Sequence, residues 1–284
     1  MSSSTLKQLP KSTVELEIRI PWEEIKTSYE KILDRVISES ELPGFRKGKA
    51  PKDLVIKDQN RSKLYEEVVR EVMPKVYRDE IQKYKLSPVI SPKVEVLEAK
   101  EGKEWVIKAS VALKPSINLK NYKEKIREFK KSKVKIWTPG KSHEKDDQAN
   151  KKINLDELLN VILSTVEFEI SDMIVEQEQN RLLADLIDQT HKLGLSVEQY
   201  LLAKGKTTEG LRSEYAEQAL KNLKTEFALN EIADGEKITV TQEDIDKLLK
   251  NVEKTEEREK LKKESYYLAH LIRQQKTLDF LNNL

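Results

Sequence analysis

Residues 44–51 are the part of this chain least suited to the interior of a helix or a strand. They read Gly-Phe-Arg-Lys-Gly-Lys-Ala-Pro and follow a Leu-Pro pair. Glycine and proline favour turns, so the segment predicts a loop. Its side chains include one aromatic ring, Phe45, and three cations, Arg46, Lys47 and Lys49. An apolar ring on a basic loop favours a partner that receives it. The alternative is a solvated basic turn with Phe45 packed into the core.

The residues on both sides of this loop predict an α+β domain. Val14, Leu16, Ile18 and Ile20 alternate with polar residues, which is the period of a half-buried strand. The apolar spacing further predicts helices at 22–40, near 54 and at 62–84, and strands at 94–97 and 105–113. We therefore expect a small antiparallel sheet covered on one face by helices, with the loop as a helix-loop-helix tip.

The second half of the chain predicts an all-α unit. From residue 155 onward the apolar residues follow helical spacing almost without interruption. Capping residues predict helix starts at Ser171, Ser196 and Thr241, and a long helix from Thr208 to Gly235. Four or five long helices in this part of the chain form the predicted unit.

Charge divides the chain into three segments. The net charge is +5 for residues 1–120, +6 for residues 121–152 and −9 for residues 153–284. The middle segment is rich in lysine and has few apolar residues, so it predicts a flexible basic linker, in which Val134, Ile136 and Trp137 leave room for one short strand. A basic front and an acidic back would orient the chain loop-first toward a polyanion such as RNA.

Composition and motifs argue against catalysis and metal binding. The chain has no cysteine, which excludes disulfides, thiol catalysis and cysteine-bound metal. His143, His191 and His270 lie far apart in sequence, and no nucleophile elbow, phosphate loop or dinucleotide fingerprint occurs. Neither a signal peptide nor a membrane-length apolar run is present. We therefore expect a soluble cytoplasmic protein that is not an enzyme, with no catalytic residue, no metal and no cofactor.

The loop and its surroundings resemble one family. The motif at residues 44–51 is similar to the ribosome-docking signature of trigger factor, the bacterial chaperone at the polypeptide exit tunnel. The strand at Val14–Ile20, the segment from Val111 to Pro115 and the run from Leu211 to Leu248 are similar to other parts of that family. The resemblance covers residues 12–120 and 155–284.

This resemblance implies a domain organisation. It places a ribosome-binding domain at residues 1–120 and a helical substrate-binding chaperone domain with helical arms at residues 153–284. The family usually has a prolyl-isomerase domain of the FK506-binding type between these two. The basic segment at 121–152 is too short to bury a core of that size, so the resemblance is to a trigger factor that lacks its isomerase.

The resemblance also implies partners and site residues. The loop would dock on protein and RNA of the large ribosomal subunit at the tunnel exit, with an apolar anchor, cations and turn glycines: Gly44, Phe45, Arg46, Lys47, Gly48 and Lys49. Apolar patches would hold unfolded or nascent polypeptides, with contacts at Ile174, Leu182, Tyr215 and Phe227. Neither ATP nor a membrane is implied, and a homodimer off the ribosome remains open.

A second hypothesis is a ribosome- or RNA-associated scaffold protein without holdase activity. Its basic loop and linker would bind RNA while the acidic helices mediate assembly. The basic half has few aromatic residues at stacking spacing and no RNA-module signature, which favours the chaperone. The ligand of the helical half distinguishes the two hypotheses, because unfolded protein supports the first and RNA alone supports the second.

Overall fold

The chain divides into two compact units, Met1–Lys114 and Pro115–Leu284. The computed structural model describes residues 2–133, 154–250 and 264–284, apart from residues 42, 50, 59 and 60. The first unit is the predicted α+β domain, and the described residues of the second unit form helices and short connections. Both fold-class predictions are confirmed.

The N-terminal unit contains a four-stranded antiparallel sheet and three helices. The strands are β1 (Ser3–Leu9), β2 (Thr13–Ile20), β3 (Lys93–Glu98) and β4 (Trp105–Ala112). The helices are α1 (Trp22–Glu39), α2 (Lys52–Asp58) and α3 (Arg61–Lys83). The strands lie in the order β1-β2-β4-β3, so β3 forms one edge of the sheet.

Cross-strand pairs between β2 and β4 form the centre of the sheet's buried face. Leu16 lies opposite Ala109, and Ile18 lies opposite Ile107. All four side chains are fully buried. Because successive strand residues point to opposite faces, the alternation read from the sequence places these residues on one face. The helices α1 and α3 cover that face.

Aromatic contacts and an ion pair hold α1 and α3 together. The ring centroid of Tyr65 on α3 lies 6.3 Å from that of Tyr29 on α1 and 5.0 Å from that of Trp105 on β4. On the exposed side, the Arg35 guanidinium donates a hydrogen bond to Glu67 across 2.6 Å. Arg35 lies about one turn before the end of α1, so this contact joins α1 and α3 close to the start of the loop.

The strand β1 was not expected from the sequence. Its residues are mostly polar, and Leu6, opposite Leu16 on β2, is only partly buried against the core. Tyr84, which directly follows α3, also holds β1, because its hydroxyl donates a hydrogen bond to the Ser4 carbonyl oxygen across 2.9 Å. This edge strand is therefore stabilised by tertiary contacts that its own apolar pattern does not indicate.

The C-terminal unit is helical throughout its described elements. These are α4 (Tyr122–Lys133), α5 (Leu155–Thr165), α6 (Asp172–Lys192), α7 (Val197–Lys204), α8 (Thr208–Gly235), α9 (Gln242–Lys250) and α10 (Ser265–Asn282). One core joins α4, α5, the end of α8 and α10. The helix α6 packs against α8, with α7 between them in sequence, and forms a helical arm. The helix α9 packs on α10.

The prediction of a basic linker is wrong for residues 122–133. These residues form α4, in which Tyr122 and Ile126 are buried in the core of the helical unit. The two residues are four positions apart and therefore lie on the same helix face, among lysines that face solvent. The unit boundary accordingly falls at Lys114 and not at residue 120. Residues 134–153, with the short strand considered there, lie outside the described residues.

Candidate functional site

The loop between α1 and α2 is pinned at both ends by backbone hydrogen bonds. After α1 ends, the buried Ser40 donates from its hydroxyl to the Ile37 carbonyl oxygen across 2.8 Å. The Gly48 amide then donates to the Ser40 carbonyl oxygen across 3.1 Å. At the other end, the Val55 amide donates to the Pro51 carbonyl oxygen across 3.2 Å, and the Val55 side chain is fully buried. The segment is therefore a short closed loop on a fixed base.

Two glycines supply the backbone conformations that this closure requires. Gly44 has φ +87° and Gly48 has φ +73°, both in the left-handed region that other residues rarely adopt. At Gly48 a side chain would also be crowded, because a Cβ would lie 3.0 Å from the Ser38 carbonyl oxygen. The glycine spacing in the motif is thus a property of the loop geometry.

The loop presents its apolar ring and its cations to solvent. Phe45 is 43% exposed, so the alternative that packs this ring into the core is wrong. Lys47 lies 3.6 Å from the Glu41 carboxylate in an exposed pair, which contributes little. Arg46 and Lys49 are exposed and have no ion-pair partner among the described residues. The arrangement suits a partner that offers an apolar pocket beside phosphate or carboxylate groups.

The four residues predicted to contact clients differ in how far their side chains are buried. Ile174 on α6 is only 4% exposed, so its prediction as a client contact is wrong for the unit as folded. The helix α6 packs against α8, and the burial of Ile174 leaves little of its side chain for a client. Leu182 on α6, and Tyr215 and Phe227 on α8, are half-buried. Burial is also the main cause that raises the pKa of the Tyr215 hydroxyl.

Sequence reasoning missed the most exposed apolar residues of the helical unit. Leu193 is 76% exposed and Leu202 is 82% exposed, at the turn after α6 and on α7. The helix α7 has no buried residue, yet it is well capped by Ser196 and Gln199, which bond each other's backbone amides. Tyr266 at the start of α10 is 91% exposed. The sequence could have indicated the exposure of Leu202. The helix α7 has eight residues and no clear apolar face, so its apolar side chains cannot all be buried.

The described residues offer neither a metal site nor a membrane span. Among them, no group of three or more histidine, aspartate or glutamate side chains could hold a metal ion. Within the same part of the chain, every helix is too short or too polar to cross a bilayer. The features that stand out are therefore the pinned loop and the exposed apolar residues of the helical arm.

Curated relatives are similar to this chain over about two fifths of its length. The trigger factor of Pelotomaculum thermopropionicum is 34% identical over 118 residues, which cover 42% of this chain and 27% of that protein. The trigger factor of Caldanaerobacter subterraneus subsp. tengcongensis is 34% identical over 120 residues, 42% of this chain and 28% of that protein. That of Lactiplantibacillus plantarum is 34% identical over 110 residues, 39% of this chain and 25% of that protein. The chain thus matches about a quarter of the length of these relatives.

One solved structure and two family models extend the comparison over the whole chain. A structure from work on promiscuous substrate recognition in folding and assembly by the trigger factor chaperone has a TM-score of 0.60 and 14% identity, and the match covers 99% of each chain. At that identity the likeness shows the fold alone. The family model for bacterial trigger factor protein matches residues 1–139, and the model for its C-terminus matches residues 138–283. The chain therefore belongs to the trigger factor family.

Proposed function

We propose that this chain is an ATP-independent chaperone of the cytoplasm that docks at the ribosomal tunnel exit and holds unfolded nascent chains. The observation that carries the proposal is the pinned loop, which exposes Phe45 to solvent on the same short segment as Arg46, Lys47 and Lys49. Membership of the family would not by itself require the loop to be closed and the Phe45 ring to be exposed. The loop's geometry supports a docking role because an exposed ring on a closed loop is pre-organised for a partner.

The loop residues would make different kinds of contact with the ribosome. Phe45 acts as the apolar anchor on a protein surface of the large subunit, while Arg46, Lys47 and Lys49 approach RNA phosphates or acidic side chains. Gly44 and Gly48 contribute through the backbone. Because Lys47 leaves only an exposed partner, Glu41, when it binds, little is lost on docking.

The helical arm would supply the client-binding surface. Leu193, in the turn before α7, and Leu202, on α7, are exposed to solvent. Leu182 on α6 and Tyr215 and Phe227 on α8 are half-buried. Apolar burial needs no specific geometry, so such a surface suits weak and promiscuous binding. The solved neighbour belongs to a chaperone described by promiscuous substrate recognition, which is consistent with this mode.

We further infer that the chain acts without prolyl-isomerase activity. The two family models match adjoining ranges, 1–139 and 138–283, and α4 of the helical unit occupies residues 122–133 of the segment where the family's isomerase domain would stand. Release of clients would then come from competition with folding. A peptide isomerisation assay with no rate enhancement supports this inference, and a clear enhancement would refute it.

Cosedimentation with bacterial ribosomes over a salt series tests the docking role. The variant Phe45→Ala, Arg46→Ala, Lys47→Ala should bind roughly tenfold or more weakly, with a salt slope shallower by about one to two. The matched control is Leu97→Ala, Lys100→Ala, Lys103→Ala, which removes one exposed apolar residue and two exposed cations elsewhere in the same unit. Equal binding by the two variants would contradict the proposal.

A further inference from the structure

An apolar groove of about 920 Å³ lies between α3 and β3 in the N-terminal unit. On α3 its lining follows four-residue spacing, with Val69, Met73, Tyr77 and Ile81. Residues four apart lie on one helix face, so these side chains form a continuous stripe. The opposite wall includes Val89 and Val94, which are 42% and 37% exposed although both are apolar.

Tyr77 carries a polar atom that this apolar lining leaves unsatisfied. Its hydroxyl oxygen is buried and has no hydrogen-bond partner among the described residues. The same burial raises the pKa of the Tyr77 hydroxyl. Buried polar groups without partners are rare, because each one loses its hydrogen bonds to water. A ligand that brings an acceptor into the groove would satisfy this donor.

The outer rim of the groove is charged unequally along its length. Glu66 and Arg70 lie at one end, one turn apart, and Arg78 lies at the other end. Neither arginine has an ion-pair partner among the described residues. The Arg78 end is therefore the basic end and complements a carboxylate.

The shape of the groove suits an extended chain. Val69 and Ile81 are about 18 Å apart along α3 at a helical rise of roughly 1.5 Å per residue. An extended peptide covers that distance with about five or six residues. The wall opposite α3 ends in the edge strand β3, whose outer side has no strand partner in the described part of the chain. Extended segments pair with such edges through main-chain hydrogen bonds.

We propose that this groove binds a short extended peptide segment with apolar side chains at alternate positions and a side-chain carboxylate at the Arg78 end. The alternate side chains enter the groove between α3 and β3. A main-chain carbonyl of the peptide accepts a hydrogen bond from the Tyr77 hydroxyl. None of the residues that line this groove belongs to the loop or to the helical arm, so the proposed function and this inference can fail independently.

The test uses the full chain and an amidated, fluorescein-labelled six-residue peptide that alternates valine and serine and ends in glutamate. A matched peptide ends in glutamine. By fluorescence anisotropy, the wild-type chain should bind the glutamate peptide roughly three- to tenfold more tightly than the glutamine peptide. Arg78→Gln should abolish this preference. Lys75→Gln, the same charge change on α3 outside the groove lining, should retain it.

A second variant separates peptide binding from folding. Tyr77→Phe should weaken both peptides roughly two- to tenfold by removing the donor. Its thermal unfolding midpoint should not fall, since the variant also removes an unsatisfied buried group. A purely structural role for the hydroxyl would lower the midpoint and leave peptide affinity unchanged, which would overturn its assignment as a ligand donor.

Location is checked by placing a photoreactive benzoylphenylalanine at the central valine of the peptide. Crosslinks to the full chain should map within residues 66–96. The proposal is overturned if the peptide does not bind, if crosslinks map only outside that range, or if Arg78→Gln and Lys75→Gln have equal effects on the preference for glutamate.

Discussion

The Gly48 amide donates a hydrogen bond to the Ser40 carbonyl oxygen across 3.1 Å, and this bond closes the loop that carries Phe45. Ser40 is itself buried at the end of α1. The position of the Phe45 ring therefore depends on a backbone contact as much as on its own side chain. Changes to the turn should weaken docking even when every docking side chain is kept.

Gly48→Ala should destabilise the N-terminal unit by about 1–2 kcal/mol, because alanine is strained at a positive φ and its Cβ would also meet the Ser38 carbonyl oxygen. Gly44→Ala is the matched control, with a similar φ but nothing within 4 Å of the added Cβ. Urea unfolding and ribosome cosedimentation should both show the larger loss for Gly48→Ala. Equal losses would mean that the contact with Ser38 has no influence on the loop.

Two apolar residues of the helical arm should behave in opposite ways. Ile174→Ala should lower the free energy of unfolding by about 2–5 kcal/mol, because the side chain is buried. Leu202→Ala should change it by less than about 0.5 kcal/mol, because the side chain is 82% exposed. Aggregation assays with an unfolded client should nevertheless show weaker protection by Leu202→Ala. Full protection by that variant would remove α7 from the client surface.

Lys130 should stabilise the helical unit through the end of α10. Its ammonium donates to the carbonyl oxygens of Leu281 and Asn282 across 2.9 and 2.7 Å. Lys130→Met should cost about 1–3 kcal/mol in chemical denaturation, because these carbonyl groups lose their donor. Lys125→Met, which removes an exposed pair with Glu128 on the same helix, should cost less than about 0.5 kcal/mol. If the two variants are equally stable, α4 is not anchored through this contact.

The stability of the helical unit should depend on Asp244 at acid pH. Hydrogen bonds from Lys276 and from the Thr241 amide and hydroxyl lower the pKa of Asp244 from 3.8 to about 2. A lowered pKa stabilises the fold above the ordinary value, and that contribution is lost as the pH falls from 3.8 toward 2. Asp244→Asn should therefore lower the Tm at pH 7 and match the wild type near the lower end of that range.

The control for this prediction is Asp246→Asn on the same helix. Asp246 accepts a hydrogen bond from Gln242 and has no lysine partner among the described residues. Its replacement should lower the Tm at pH 7 by less than Asp244→Asn does. A gap between Asp244→Asn and the wild type that stays constant down to pH 2 would contradict the linkage.

Strong periodicity made most of the N-terminal unit predictable. In β2 and β4 the alternation of apolar residues predicts one buried face, and in α1 the apolar stripe does the same. The structure has these three elements at the positions that the patterns predict. The loop at residues 44–51 was predictable because glycine and proline act through local backbone preferences. The edge strand β1 was not, since Leu6 is its one apolar contact with the core and its pairing comes from β2.

The helical unit was less predictable because its faces are assigned by packing between distant helices. The segment of α4 reads as solvated lysine-rich chain, and only the core that α5, α8 and α10 provide makes Tyr122 and Ile126 a buried face. The same reason explains the error at Ile174. The spacing of apolar residues along α6 predicts a helix, but it does not show which of these side chains are buried in the folded unit.

The most direct test of the docking claim is a crosslink from the tip of the loop. Benzoylphenylalanine placed at position 45 keeps an aromatic ring there, and the same group at Leu97 is the control at an exposed site outside the loop. After irradiation with bacterial ribosomes, we predict covalent adducts with the large subunit from position 45 and few from position 97. No adduct from position 45, or equal yields from both positions, would contradict the account.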